Sequence, residues 1–344
     1  MMRCSDDVKR FVFLWTTLFL SVSLVLSGCG PESTSKDVES YLAVSLSLDS
    51  NNDLEPIQPI PLTISLDQQK VKLGDRLFHD PRLSHDNTIA CSSCHNLTKG
   101  GTDQAYRSTG INGATGGINT PTVFNSGLNI RQFWDGRADT LEDQIDGPTQ
   151  HPAEMGSTWP EIIGKLQQDQ SYTKAFSTIY ADGITVATIK NAIATFEQSL
   201  LTPHSRFDQY LRGDHDAITA FEKQGYALFK SYGCVACHQG ANVGGNLFQQ
   251  FGLFTDTDTM RDGVERSQVK TDDHENHRHM VKVPSLRVAV LTPPYFHDGS
   301  AATLPEAVEK MARVQLRRHL SEEEISAIVA FLHTLPGQYQ GRDL

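Results

Sequence analysis

The sequence predicts a mainly α-helical protein built from two domains. Apolar residues recur at helical spacing along most of the chain, and no pair of alternating segments stands out as a β-hairpin. A length of 344 residues is enough for two modest hydrophobic cores. A five-residue motif, Cys-x-x-Cys-His, occurs once in each half. The chain is therefore expected to repeat one kind of small helical domain.

The repeated motif predicts covalently attached haem. In a motif of this kind each thiol forms a thioether to a haem vinyl group, and the adjacent imidazole becomes the proximal ligand of the iron. A zinc site or a thioredoxin-type motif is the alternative, but neither explains a histidine directly after both cysteine pairs. The sequence therefore predicts two covalently bound haem c groups, attached through Cys91, Cys94 and His95 in the first half and through Cys234, Cys237 and His238 in the second.

Residues 1–28 have the pattern of a lipoprotein signal peptide. A basic pair precedes an apolar run over residues 11–26 that is too short and wrongly flanked for a good membrane span. The run ends in Leu-Ser-Gly-Cys, which resembles a bacterial lipobox, where cleavage leaves a lipidated cysteine at the N-terminus. We therefore expect a lipid anchor on Cys29, a tether over residues 29–65 and a membrane-anchored location in the periplasm. An uncleaved anchor, or an ordinary signal with an incidental cysteine, is the alternative.

Charge and composition narrow the class of partner. The formal net charge of −11 argues against a nucleic acid and weakly favours a basic protein. With 38% hydrophobic and 21% charged residues, the composition is that of an ordinary globular protein.

Residues 66–215 are expected to form the first domain. A helical pattern begins near Leu66 and stops at Asp80-Pro81, ahead of the first cysteine pair. The Gly- and Asn-rich stretch 99–130 is expected to be mostly loop. Apolar spacing predicts further helices over 160–180 and 185–201.

Residues 216–344 are expected to form the second domain, after a polar run that begins near Pro203. Apolar residues from Ile218 to Phe229 predict a helix that leads into the second motif. Ser321 and Glu324 have capping-box spacing ahead of an apolar run, which predicts a last helix. Each domain is too small to complete its core without haem.

The sequence resembles bacterial di-haem cytochrome c peroxidases and their relative that matures methylamine dehydrogenase. The resemblance covers about residues 66–336 and is carried by the haem motifs together with other segments in a specific order. These segments are Leu73 to Ser84, Thr120 to Val123, Phe133 to Arg137, Gly147-Pro148 with Pro152 to Met155, Val283 to Leu286 and Tyr295 to Gly299. The resemblance implies two cytochrome c-like haem domains packed against each other, the N-terminal one peroxidatic and the C-terminal one transferring electrons.

The resemblance also implies a reaction, in which H₂O₂, two electrons and two protons give two waters. Glu154 matches the family's acid–base residue, and Gln144 matches its polar partner in the same pocket. A carboxylate can take a proton from bound peroxide and return it to the leaving oxygen. Trp134 matches the tryptophan that serves as an electron route between the haems. Taken alone, Glu154 would be interpreted as a solvated helix-start residue and Trp134 as a core aromatic.

The first haem departs from the activation-dependent members of the family at one position. Those members carry a histidine sixteen residues after the first haem histidine, and it blocks the oxidised iron; the corresponding residue here is Ile111. Isoleucine cannot ligate iron, so we expect an open or water-bound first haem that is active without reductive activation. His151 is the nearest downstream histidine that could take the missing residue's place.

Further site residues are implied by the resemblance. Met311 matches the axial ligand of the second haem, where a thioether raises the reduction potential; a core methionine is the alternative. His297 is expected near a haem propionate. One Ca²⁺ between the domains is expected to be bound by one side-chain oxygen and two backbone carbonyls, from Asn119, Thr292 and Pro294.

The implied partners are H₂O₂ and a small electron-donor protein, either a cytochrome c or a cupredoxin, and the resemblance allows a homodimer. Two other functions stay open: oxidation of a partner protein through a high-valent haem pair, and pure electron transfer without catalysis. One cluster, His274, His277 and His279, matches no motif of the family and is interpreted as solvated rather than metal-binding.

Overall fold

The computed structural model of the protein describes residues 55–253 and 280–344. All of these belong to one unit, Asp49–Leu344. The predicted signal peptide, Cys29 and the cluster of His274, His277 and His279 lie outside the described residues. In the part of the chain that is described, no helix has the length and apolar character needed to cross a membrane.

The described residues contain ten α-helices and two small antiparallel sheets, joined by loops and short 3₁₀ turns. The prediction of a mainly α-helical fold is therefore confirmed. The helices are α1 (Gln68–Phe78), α2 (Cys91–Cys94), α3 (Leu141–Gln150), α4 (Trp159–Gln167), α5 (Gln170–Ile179), α6 (Val186–Gln198), α7 (Arg206–Leu211), α8 (Ala220–Ser231), α9 (Leu304–Leu316) and α10 (Glu322–Leu332). The sheets pair β1 (Phe248–Gln250) with β2 (Met280–Lys282), and β3 (Gln338–Tyr339) with β4 (Arg342–Asp343).

Each half is organised by two helices that cross at a glycine. α1 packs against α6, and α8 packs against α10. A Cβ added to Gly74 would lie 1.9 Å from the carbonyl oxygen of Ala192, and one added to Gly225 would lie 1.9 Å from that of Ala327. Glycine is needed at both positions because any side chain would prevent this approach of the backbones. α1 and α8 each precede a haem motif, so the same helix pair leads into the motif in both halves.

A second local structure is also repeated in the two halves. Residues 132–138 and 295–301 form equivalent turns, each closed by an isolated antiparallel bridge between its first and last residues. The phenylalanine at the second position has a φ of 67° in the first turn and 72° in the second. Trp134 and His297 occupy equivalent positions in these turns. The two halves are therefore copies of one domain plan, as the repeated motif predicts.

Most of the predicted helices are confirmed. α1, α6 and α8 fall within the segments that apolar spacing indicates, and short 3₁₀ turns interrupt the expected loop 99–130. The predicted capping box opens α10. The hydroxyl of Ser321 accepts from the backbone N–H of Glu324 at 3.2 Å, and the carboxylate of Glu324 accepts from the N–H of Ser321 at 2.7 Å.

Other elements differ from the sequence prediction. The stretch 160–180 is two helices rather than one, because the Asp169 carboxylate accepts from the N–H of Ser171 and caps α5. α3, β1 and β2 were not predicted. Pro148 lies inside α3 and argues against a helix there, and α3 shows no clear apolar period. β1 and β2 have three residues each, which is too few for an alternating pattern to be recognised.

Part of the predicted tether belongs to the folded unit. Ile57 and Ile60 are both fully buried, and Ile57 belongs to the hydrophobic cluster of the C-terminal half. Arg287, which is also fully buried, holds the segment by donating to the carbonyl oxygen of Gln58 at 2.7 Å. Residues 55–60 are therefore part of the folded unit and not of the tether expected there. The sequence does not indicate this, because the prolines around the two isoleucines interrupt any periodic apolar pattern.

The same cluster includes residues of α7, which precedes the predicted domain boundary after residue 215. Phe207 and Leu211 of α7 pack with the core of the C-terminal half, which includes Phe229 and Phe331. The core of the N-terminal half draws its buried residues from α1 and α3 to α6.

Candidate haem and active site

The first Cys-x-x-Cys-His motif forms α2 and presents its thiols for haem attachment. Cys91 and Cys94 are both free thiols, as the thioether chemistry requires. His95 Nδ1 lies 3.3 Å from the carbonyl oxygen of Gly101. Because Nδ1 donates in this contact, Nε2 is the atom left for iron. Burial lowers the pKa of His95 and so favours the neutral imidazole that ligates metals.

The second motif holds its histidine in the same way. His238 is buried, and its Nδ1 lies 3.3 Å from the carbonyl oxygen of Val243. Burial lowers the pKa of His238 to about 4. Gly244, whose φ is 129°, brings the Pro284 carbonyl beside the ring; an added Cβ there would lie 2.2 Å from that oxygen and 3.4 Å from His238 Nδ1. The backbone thus fixes the tautomer that leaves Nε2 for iron.

The second motif also lines a cavity that fits a haem group. Cys234, Cys237 and His238 contribute to its wall. His297 lines the same cavity, and its Nε2 is buried without a hydrogen-bond partner among the described residues. An orphaned donor of this kind is expected where a polar group of a ligand completes the site. The propionates of a haem would supply such an acceptor.

Met311 lies on α9 and lines the cavity together with His238. Its neighbours Leu304 and Val308 pack against the hydrophobic cluster of the C-terminal half, whereas Met311 belongs to none of the clusters formed by the described residues. Met311 thus lies in the wall of the cavity that His238 also lines, where the axial-ligand prediction requires it.

Trp134 brings the two halves into contact. Its ring lies 6.2 Å from that of His297, edge to face at 69°, and both rings line the second-haem cavity. The indole Nε1 donates to the carbonyl oxygen of Asn119 at 2.9 Å. The backbone N–H of Asn119 in turn donates to the carbonyl oxygen of His297 at 2.9 Å. Three residues predicted separately are thus joined in one hydrogen-bonded contact across the halves.

The three residues predicted to bind Ca²⁺ meet at the same cavity. Asn119, Thr292 and Pro294 all line it. The amide nitrogen of Asn119 donates to the carbonyl oxygen of Ala105 at 2.9 Å, which leaves the amide oxygen for a cation. One amide oxygen and backbone carbonyls suit Ca²⁺, which accepts few protein oxygens when waters complete its shell.

Glu154 follows α3 in a turn that faces the first haem motif. Burial is the largest cause of the raised pKa of the Cys94 thiol, and the negative charge of the Glu154 carboxylate raises it further. Burial raises the pKa of Glu154 itself, against the opposing influence of His151 and Arg137. His151 Nδ1 lies 3.7 Å from the carboxylate, and 45% of the Glu154 side chain is exposed. A partly desolvated carboxyl thus lies within electrostatic range of Cys94 in the first haem motif and is also open to solvent.

Ile111 is packed against the segment that carries Glu154. Its backbone N–H donates to the Glu154 carbonyl at 2.8 Å, and the residue is 6% exposed. A Cβ added to Gly110 would lie 2.1 Å from the carbonyl oxygen of Ala153. Residue 111 is therefore a buried aliphatic residue whose backbone is hydrogen-bonded to the backbone of Glu154.

Gln144 is half-buried on α3, the helix that leads towards Glu154. Among the described residues, no hydrogen bond joins the two side chains.

The sequence does not single out two buried charged residues of the site. Glu197 on α6 is buried, and its Oε2 has no hydrogen-bond partner among the described residues. Burial, together with the negative charge of Glu142, raises the pKa of Glu197 to about 8. Lys282, at the end of β2, is buried and lines the second-haem cavity. Nothing in the local sequence marks either residue, because their burial depends on tertiary packing.

Two Cys-x-x-Cys-His domains that share one plan define the chain as a di-haem c-type oxidoreductase. A family model described as di-haem cytochrome c peroxidase matches residues 68–216, and a cytochrome c model matches residues 222–336. The cytochrome c551 peroxidase of Nitrosomonas europaea is 47% identical over 285 residues, covering 82% of this chain and 84% of that protein. The chain belongs to the di-haem cytochrome c peroxidase family, which makes it a haem c oxidoreductase of the peroxidase class.

Two further similarities agree with this family. The cytochrome c peroxidase of Escherichia coli (strain K12) is 48% identical over 290 residues; the match covers 83% of this chain but 62% of that longer protein, less than two thirds of its length. A crystal structure of a MauG-like protein associated with microbial copper homeostasis superposes with a TM-score of 0.67 at 28% identity, covering 81% of this chain and 93% of that one.

Proposed function

We propose that the protein reduces H₂O₂ to water with electrons from a small periplasmic donor protein and needs no reductive activation. One observation carries this proposal. The Glu154 carboxyl, its pKa raised by burial, lies within electrostatic range of Cys94, and the backbone of Glu154 is hydrogen-bonded to the buried Ile111, which matches the ligating histidine of activation-dependent relatives. The first haem then has an acid–base group and no imidazole from residue 111 to displace.

The residues around the first motif would have separate roles in haem binding, proton transfer and orientation of the peroxide. Cys91, Cys94 and His95 would hold the haem, which supplies an iron that binds peroxide and passes it electrons. Glu154 takes the proton from one peroxide oxygen and returns it to the other, so that the leaving oxygen departs as water. Burial moves the pKa of Glu154 towards the working pH, which suits a group that must both accept and donate a proton. Gln144 orients the peroxide.

The C-terminal half would supply the electrons. His238 and Met311 would hold the second haem, and thioether ligation would raise its reduction potential, which suits electron entry. The contact between Trp134 and His297, at 6.2 Å between ring centroids, is an aromatic link between the halves at the wall of the second-haem cavity. We assign Trp134 to electron transfer across it. Each peroxide consumes two electrons and two protons and yields two waters.

The metal and the cellular location complete the proposal. Asn119, Thr292 and Pro294 bind one Ca²⁺ through an amide oxygen and two carbonyls. Cys29 carries a lipid anchor that holds the enzyme at the periplasmic face of a membrane. The electron donor is a small cytochrome c or a cupredoxin. A homodimer stays an expectation of the family resemblance.

A second function, oxidation of a partner protein, is favoured by the same absence of a histidine at residue 111 and by the likeness to a MauG-like structure. Met311 argues against it, because the enzyme that matures methylamine dehydrogenase has a tyrosine at the matching position. The third function, pure electron transfer, requires an occupied sixth position at both haems, which Ile111 does not provide.

The test is turnover of the as-isolated, fully oxidised holoenzyme. We expect two molecules of reduced cytochrome c or cupredoxin to be oxidised for each H₂O₂, without a lag. Candidate protein substrates in place of the donor should be oxidised much more slowly. A lag abolished by pre-reduction would refute activity without activation, and faster oxidation of a protein substrate would favour the second function.

A further inference from the structure

A buried lysine at the second-haem cavity has no counter-charge among the described residues. Lys282 ends β2 and is 8% exposed. Burial alone lowers the pKa of its ammonium to about 8, and no carboxylate within residues 55–253 or 280–344 opposes this effect. An ammonium buried without an anion is strongly unfavourable. The position therefore indicates a bound anion.

Two contacts fix where Lys282 stands. Its backbone N–H donates to the carbonyl oxygen of Trp134 at 2.9 Å, and the residue pairs with Phe248 across β1 and β2. Residues paired in antiparallel strands project from the same face of the sheet. Phe248 reaches the turn of the first half, since a Cβ added to Gly136 would lie 2.3 Å from its ring. Lys282 thus stands where the strand pair of the second half meets the turn of the first.

The domain repeat shows that the fold does not require a lysine here. Lys282 precedes Val283-Pro284 as Asn119 precedes Thr120-Pro121. Each donates its backbone N–H at 2.9 Å to the equivalent turn residue of the other half, Lys282 to Trp134 and Asn119 to His297. The backbone link is the same in both copies while the side chain differs. The ammonium is therefore a special feature of the second-haem side.

The anion that this cavity would receive is a haem carboxylate. Lys282 lines it together with the two haem-binding thiols of the second motif, Cys234 and Cys237. His297 lines it as well, with Nε2 buried and unpartnered among the described residues. A haem attached to these thiols brings two propionates, which offer acceptors to both donors.

We propose that the Lys282 ammonium binds a propionate of the second haem and thereby raises the reduction potential of that haem. A positive charge nearby stabilises the ferrous state, because the reduced iron carries one positive charge less than the oxidised iron. Lys282 is then a positioning and potential-setting residue for the haem that receives electrons. This inference rests on the family's second haem and does not depend on peroxide turnover.

Redox titration of the holoenzyme, followed by the visible spectrum of each haem, tests the proposal. Lys282→Met keeps an unbranched side chain but removes the charge, whereas Lys282→Arg keeps the charge. We expect Lys282→Met to lower the equilibrium constant for reduction of the second haem about tenfold, which equals about 59 mV for a one-electron couple. Lys282→Arg should stay close to the wild type, and the potential of the first haem should not move in either variant.

Resonance Raman spectra give a second readout, the bending band of the haem propionates, which Lys282→Met should shift and Lys282→Arg should not. If Lys282→Met fails to incorporate both haems, Lys282→Gln takes its place and is judged by the same two measurements. An unchanged second-haem potential and band in the neutral variant would overturn the proposal. So would a shift confined to the first haem, or an equal shift in Lys282→Arg. Since neither measurement uses H₂O₂, failure of the proposed peroxidase function would leave both results unaffected.

Discussion

Replacing Glu154 with glutamine tests the proposed proton transfer most directly. The residue is held by its backbone: its N–H donates to the carbonyl of His151 at 3.0 Å, and its carbonyl accepts from Ile111 at 2.8 Å. Glutamine keeps both contacts and the shape of the side chain, and removes only the ionisable group. Loss of a general acid–base group typically lowers the rate by about 10²–10⁴-fold, or about 2.7–5.4 kcal/mol of transition-state stabilisation.

The exposure of Glu154 narrows this range. With 45% of the side chain open to solvent, water can carry part of the proton transfer after the carboxyl is removed. We therefore expect a loss in the lower half of the range, about 10²–10³-fold in turnover with both haem spectra unchanged. Steady-state oxidation of a reduced donor by H₂O₂ measures it, and Glu309→Gln, an exposed carboxylate on α9, is the matched control. A variant within a few-fold of the wild type would remove Glu154 from the mechanism.

The pH dependence of the same reaction checks the assignment independently. Burial raises the pKa of Glu154, and His151, 3.7 Å from the carboxylate, lowers it. His151→Ala should therefore raise the pKa of Glu154 further. Because the carboxylate must be ionised to take the first proton, the acidic limb of the pH–rate profile should move to higher pH. A limb that stays in place or moves to lower pH would contradict this role.

Three other outcomes are expected. Met311→His should abolish a sulfur-to-iron absorption near the red edge of the visible and lower the potential of the second haem; an unchanged spectrum would make Met311 a packing residue. Electron paramagnetic resonance of the as-isolated ferric enzyme should show one high-spin and one low-spin haem, with cyanide binding at once; two low-spin signals would point to His151 as the substitute for the histidine missing at Ile111. Cys29→Ser should release the protein from membranes, and a native protein found wholly in the soluble fraction would refute the anchor.

The sequence was informative wherever structure follows from short-range chemistry. The haem motifs depend on residues within five positions of each other, and the helix α10 begins at a capping box that Ser321 and Glu324 form between themselves. The stripe along α6 has the helical period because one face packs on α1. In each case the neighbouring residues carry the information, so a linear pattern reveals the element.

The sequence was uninformative where a residue's role depends on distant partners. Ile57 is buried by the C-terminal half, and nothing within its Pro-rich neighbourhood indicates it. β1 and β2 pair across a long connection and have three residues each, too few for alternation to be recognised. Lys282 and Glu197 occupy ordinary strand and helix positions, and only tertiary packing makes them buried ionisable residues near the haem motifs.

The repeat also gives a physical reason for the different roles that we propose for the two halves. α3 and α9 are equivalent helices, each capped by a threonine that follows the repeated turn: Thr140 and Thr303. Counted from these caps, Met311 on α9 corresponds to Pro148 on α3. Proline has no side chain that can ligate iron, and α3 ends soon after it, so that the chain turns and presents Glu154 towards the first haem motif. In the proposed function, the same helix would thus offer the Met311 thioether to the second haem and lead to the Glu154 carboxyl at the first, which suits electron entry in the second half and peroxide chemistry in the first.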